Sequence, residues 1–245
     1  MRDRQTLRPA CAGRLSALHG TRHGMSTLSS SEFPADLPSD HRGATPAEAE
    51  AETQTEAEAQ GDIIDHAAAL FARRGFDQTS MQQIADAAKQ TRDTLLTHFA
   101  SKFAIYEAAI DTLRAHMRQV LADVRDLPVG PERDRAVVEA GVQFTYDWPG
   151  VSALSSGIAD SEPDGDPQLV EIGMIAYEAL GIDLKQLDME RIVRVTCAFS
   201  GMGMTAMQAV RTGLTREWRA HIVQTTMDAL RPAATLPAPT PRNPA

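Results

Sequence analysis

Cysteine is nearly absent from this chain: Cys11 and Cys197 are the only two in 245 residues. Two thiols so far apart build neither a disulfide framework nor a zinc site. Long apolar runs are missing too. No stretch approaches the roughly 18 uninterrupted apolar residues of a membrane span, so no membrane partner is expected. The arginines near the start are followed by no apolar segment, so a secretory signal is not expected and the chain is placed in the cytoplasm. Positive charge is in deficit, with 24 Lys and Arg against 33 Asp and Glu and a net charge of -9. That argues against a non-specific polyanion binder but allows a specific DNA reader with a locally positive face. No glycine elbow surrounds Ser152, Ser155 or Ser156, and His66, His98, His116 and His221 include no pair spaced like zinc ligands. Neither an enzyme nor a metal or cofactor site is expected.

The informative stretch runs from Ile63 to Lys102. Ile63, Ile64, Ala67, Ala68, Leu70 and Phe71 recur at helical spacing, and Arg73, Arg74 and Gly75 close that helix. Thr79 or Ser80 suits the N-cap of a second helix with Met81, Ile84, Ala85 and Ala88 inward. After a break at Lys89-Gln90, Thr91 suits the cap of a third, Arg92 to His98, which buries Leu95 and Phe99. Ser101 caps a fourth. Two short helices joined by a tight turn and braced by a longer one describe a helix-turn-helix, whose second helix enters the DNA major groove.

On these residues the stretch resembles the DNA-binding domain of TetR-type (tetracycline repressor family) transcriptional regulators. The resemblance is carried by Ala67-Ala68, Leu70-Phe71, Gly75-Phe76, Thr79-Ser80, Ile84-Ala85, Ala87-Ala88, Thr94-Leu95, His98-Phe99 and Ser101-Lys102. Lys89 stands where the family has a turn glycine, Leu96 where a phosphate-contacting tyrosine is common, and Asp93 adds a negative charge to the reading helix. Asp93 is either a cytosine N4 acceptor or a sign that reading has decayed. The resemblance implies DNA contacts from Thr79, Ser80, Gln82, Thr91, Arg92, Thr94, Thr97, His98 and Lys102, the last as a phosphate clamp. Five cations of the stretch stand against four aspartates, so modest affinity and a shallow salt slope are expected.

Beyond Ser101 the pattern is helical throughout. A long amphipathic helix runs from Ala104 to Leu127-Pro128, and another from Pro131 to Asp147. A short one covers Val151–Ile158, and another covers Gln168–Leu180. Between them Asp160, Glu162, Asp164 and Asp166 form a solvated acidic loop rather than a calcium site, because Pro163 and Pro167 interrupt it. Asp188 caps the most apolar helix, in which Cys197 reads as a small buried hydrophobe. Gly201 and Gly203 inside that helix predict the close approach of another helix. Thr215 caps the last one. His116 either faces the expected cavity or, the preferred reading, is a surface histidine.

The expected fold is all-α. Residues 1–60 are a disordered N-terminal extension, in which Ala47–Gln60 is rich in helix formers and either extends the first helix backwards or, as expected, splays away or stays disordered; 61–107 are a three-helix helix-turn-helix DNA-binding domain, 108–232 a helical ligand-binding and dimerisation domain, and 233–245 a disordered tail. The resemblance implies a homodimer on a double-stranded DNA operator, with Phe199, Gly201, Met202, Gly203, Met207, Trp218 and Ile222 at the interface. Tyr106, Met117, Phe144, Tyr146, Trp148, Met174 and Tyr177 suit a cavity for an apolar or weakly polar small-molecule effector. The function expected is a ligand-responsive transcriptional regulator, acting as a repressor. The alternative is a ligand-binding or protein-interaction module whose helix-turn-helix no longer reads DNA.

Overall fold

A computed structural model of the chain describes residues 46–158 and 167–232. Among these residues the structure is all-helical: α1 (Pro46–Arg74), α2 (Met81–Ala88), α3 (Arg92–His98), α4 (Lys102–Val124), α5 (Pro131–Asp147), α6 (Pro149–Ile158), α7 (Pro167–Ala179), α8 (Met189–Thr212) and α9 (Thr215–Leu230). The described residues from 54 onward form one compact unit. No helix among the described residues is long and apolar enough to cross a membrane.

The first helix corrects an expectation. Segment 46–60, expected to lack order, is part of α1. Its Ala, Glu and Gln are strong helix formers, and Pro46 suits a first helical turn, where its missing N–H costs nothing. The remainder of the expected extension, the acidic loop Asp160–Asp166 and the expected tail lie outside the described residues.

Side-chain caps set most of the other boundaries. Ser80, not Thr79, caps α2: its Oγ accepts from Gln83 N–H at 3.2 Å, while Gln83 Oε1 accepts from Ser80 N–H at 2.9 Å. This reciprocal pair satisfies two helix-end donors at once. Thr91 caps α3, Ser101 caps α4 and Asp188 caps α8. Thr215 is not a cap but the first residue of α9, whose N-cap place is held by Leu214 without a side-chain bond. Between α2 and α3 the chain turns through Lys89 at φ 56° and ψ 36°, left-handed geometry at a residue with a Cβ.

Two apolar clusters fill the described body. One combines Ile63, Phe71, Ile84, Leu95 and Ile105 of the helix-turn-helix with Phe144, Val151, Leu154 and Ile172. The other is built from Val120, Val138, Val142, Val195, Met202 and Met227 with their neighbours on α4, α5, α8 and α9. Polar staples fix the junctions. Arg133 donates through Nε to Ala179 O and through Nη2 to Glu178 O, both at 2.8 Å, and through Nη1 to Leu127 O at 3.3 Å. It thereby ties the loop after α4 to the last turn of α7. Arg191 pairs with the buried Asp134 at 2.5 Å, joining α8 to α5.

Candidate nucleic-acid interface and effector region

The short helix α3 buries Leu95 alone and half-buries Thr94 and His98, leaving Thr91, Arg92, Asp93, Leu96 and Thr97 exposed. Its N-terminus is tied by Thr91 Oγ1, which accepts from Thr94 N–H at 3.0 Å and lies 2.8 Å from Thr94 Oγ1. Thr97 donates to Thr94 O at 2.7 Å. Arg92 makes no hydrogen bond or ion pair among the described residues and carries its charge outward. Asp93 sits in the first turn, where a carboxylate favours the helix electrostatically, so it has a local stabilising role whatever it meets outside.

Two of the expected DNA contacts are engaged elsewhere. Thr79 is buried, and its hydroxyl donates to Gly75 O at 2.9 Å, so it braces the loop between α1 and α2. Lys102 is half-buried, with Nζ donating to Phe76 O at 2.7 Å and standing 4.2 Å above the Phe76 ring. That ammonium locks the start of α4 to the α1–α2 loop by a charge-assisted bond and a cation–π contact. Ser80 is exposed but occupied as a cap, and Gln82 donates to Asp86 at 2.8 Å on the outer face of α2.

The seven residues expected to line an effector cavity do not converge. Tyr106 packs edge-on against Phe71 and Phe76, with centroids 5.8 Å and 5.5 Å away, as part of the head's own core. Met174 and Tyr177 face outward on α7 beside Val170, the spacing of one helix face. Tyr146 points into the other apolar cluster, where its buried hydroxyl has no partner among the described residues. Burial raises its pKa, against the opposing charge of Arg219. Met117, Phe144 and Trp148 do share one cluster. Phe144 stacks on His116 at 4.2 Å and 19°, so His116 is no surface residue. Burial pushes its imidazole down to about 4, against the pull of Asp123. A separate cleft of about 320 Å³ opens between the ends of α5, α8 and α9 and includes none of the seven. Its arginines already face Asp134, Glu190 and Asp228.

The expected interface residues also divide. Met202 is buried over Gly141 of α5, where a Cβ on the glycine would lie 2.9 Å from Met202 Cε, and Ile222 is buried in the same cluster. Both serve the chain's own core. Phe199 and Trp218 are half-buried against that cluster, and Met207 is half-buried. Nothing among the described residues lies within 4 Å of a Cβ placed on Gly201 or Gly203, so no described helix of the subunit makes the expected approach. Cys197, expected inside, is exposed. With Met189, Val193 and Met204 it forms an outward apolar stripe on α8.

Residues 63–109 match the family model for bacterial regulatory proteins of the tetR family. These residues, the helix-turn-helix, are therefore of the tetR type. The HTH-type transcriptional activator FasR of Mycolicibacterium smegmatis is 34% identical over 89 residues, 35% of this chain and 39% of that protein. The HTH-type transcriptional repressor KstR2 of Rhodococcus jostii is 32% identical over 98 residues, 40% of this chain and 46% of that protein. The match thus spans under half the length of these curated relatives. Among solved structures, the transcriptional regulator FadR from Bacillus subtilis in complex with stearoyl-CoA is similar, at 15% identity and a TM-score of 0.44. It covers 69% of this chain and 98% of that one.

One polar residue of the helix-turn-helix carries a role that its sequence context does not announce. Asp65 is buried on α1 yet accepts hydrogen bonds from Gly150 and Val151, at the start of α6. The available signal was a carboxylate on the inward side of an apolar helix, two residues after Ile63 and two before Ala67. Its partners, 85 positions on in sequence, left no local trace.

Proposed function

We propose that the chain is a ligand-responsive DNA-binding transcriptional regulator, with residues 61–107 as reading head and 108–232 as effector-binding and dimerisation body. The observation that carries this reading is α3: a short, internally capped helix whose Arg92 and Thr97 are exposed and held from one side by Leu95. Arg92, Thr94, Thr97 and His98 are the proposed base and phosphate contacts, with Ser80, Gln82 and Thr91 beside them. A homodimer would cover the apolar stripe of α8 and set two such helices in successive major grooves of a palindromic operator. Repression is the preferred outcome on DNA, and the relatives' names include both a repressor and an activator. The proposed effector is small, apolar or weakly polar and received near Met117, Phe144 and Trp148. The one ionisable group stacked there, His116, is held uncharged at neutral pH. To release DNA, the effector must bind two states of the dimer with different affinity.

A second reading, a module that has lost DNA reading, is favoured by Lys102, which is already committed to Phe76. Selection from random duplex DNA with the full chain separates the two. Enrichment of a palindrome that Arg92→Ala weakens supports the regulator, and no enrichment at low salt supports the module.

A further inference from the structure

We infer that Asp65 is a positioning residue that makes the orientation of the reading head follow helix α6. The inference rests on the reading of α1–α3 as a DNA-reading head. Asp65 is 8% exposed, and a carboxylate so placed needs strong hydrogen-bond donors. Oδ1 finds them in Gly150 N–H at 2.8 Å and Val151 N–H at 3.1 Å. These are first-turn donors of α6, which the helix cannot satisfy itself. Pro149 has no N–H, and the residue before it, Trp148, has no side-chain oxygen to cap with. The cap of α6 therefore comes from α1. The approach is closed to any larger residue: a Cβ on Gly150 would lie 1.8 Å from Asp65 O and 3.0 Å from Ala69 N.

On the head side α1 is not free to yield. Ile63, Ala67, Ala68 and Phe71 pack in one cluster with Ile84 and Leu95, so α1 and α3 move together. The head is joined to the body covalently through α4, by the apolar cluster it shares with Val151 and Leu154 of α6, and by the directional hydrogen bonds of Asp65. With these in place it cannot swing about α4 unless the start of α6 moves with it. A body rearrangement that shifts α6 then reaches α3 through Asp65.

The test is an intramolecular distance measured by pulsed electron resonance in the full chain. Spin labels go on Gln78→Cys in the head and Glu139→Cys in α5, both exposed positions. Cys11 and Cys197 are replaced by serine, and labelled chain is diluted into excess unlabelled chain. The parent is expected to give one narrow distribution. Asp65→Ala and Gly150→Ala should each shift or broaden it by several ångström, while Asp65→Asn, which keeps an acceptor oxygen, should restore the narrow form. An unchanged distribution in folded Asp65→Ala, whatever its loss of thermal stability, overturns the inference. If that variant does not fold, Gly150→Ala disturbs the same contact from the α6 side and decides in its place. No DNA is involved, so failure here leaves DNA reading intact, and a failed DNA selection leaves this coupling intact.

Discussion

Gly181 stands directly against Val129: a Cβ on the glycine would lie 2.5 Å from Val129 Cγ2 and 2.7 Å from Cγ1. Its φ of 65° closes the end of α7 in left-handed geometry. Both facts demand glycine. Gly181→Ala is predicted to destabilise the chain by about 2–4 kcal/mol, the sum of left-handed strain and overpacking. Adding Val129→Ala should recover the packing share and leave about 1 kcal/mol. Chemical denaturation of the parent, single and double variants measures both.

Lys89 is the opposite case, a residue with a Cβ where the turn favours none. Its N–H closes α2 onto Ala85 O and Asp86 O from a left-handed conformation. Lys89→Gly is predicted to stabilise the fold by up to about 1 kcal/mol, Lys89→Asn by less and Lys89→Ala not at all. A gain for alanine equal to that for glycine would show that strain is not the cause.

The neutral imidazole of His116 makes stability depend on pH. Its folded pKa lies near 4, below an unfolded value near 6.5. As pH falls between these values the unfolded chain takes up a proton that the folded chain refuses. The stabilisation is therefore whole at pH 7, declines below about 6.5 and is spent near pH 4, a loss of up to about 3 kcal/mol. His116→Phe should flatten that share of the profile. The difference between parent and variant denaturation midpoints from pH 7.5 to 4.5 isolates it from carboxylate titration.

Met189, Val193 and Met204 are 63%, 57% and 77% exposed on one side of α8. If a second copy covers them, Val193→Glu and Met204→Glu should each convert a two-chain mass into a one-chain mass in light scattering at micromolar concentration. The helix content of the subunit should survive, because its core side, Met202 and Ala206, is untouched. A one-chain mass for the unaltered protein would remove the dimer.

The helix-turn-helix was legible because its signals are local: Ser80, Thr91 and Ser101 cap the helices that follow them, and Ile84 and Leu95 lie inward at helical spacing. At the start of α1 the Ala and Glu pattern has high helix propensity but no apolar side, so sequence left a backward extension of the helix and disorder both open, and the structure shows the extension. The resemblance puts Thr79 and Lys102 on the DNA side, and sequence alone does not show that their polar atoms bond Gly75 O and Phe76 O within the chain. The body was harder. On an apolar helix, periodicity does not tell which side meets its own chain, so Met202 and Met204 looked alike although one is buried and the other bare. Phe144 and Tyr146, two positions apart, enter different clusters for the same reason.

The spacing of half-sites in the DNA recovered by selection tests the central claim most directly. Two recognition helices set by one dimer predict inverted half-sites about 10–10.5 base pairs apart, centre to centre, or a multiple of that turn. Two or more copies of the chain should bind per site, with affinity reduced by about 1–3 kcal/mol in Arg92→Ala. Recovery of no common sequence, or of one that Arg92→Ala binds as tightly as the parent, would contradict the account.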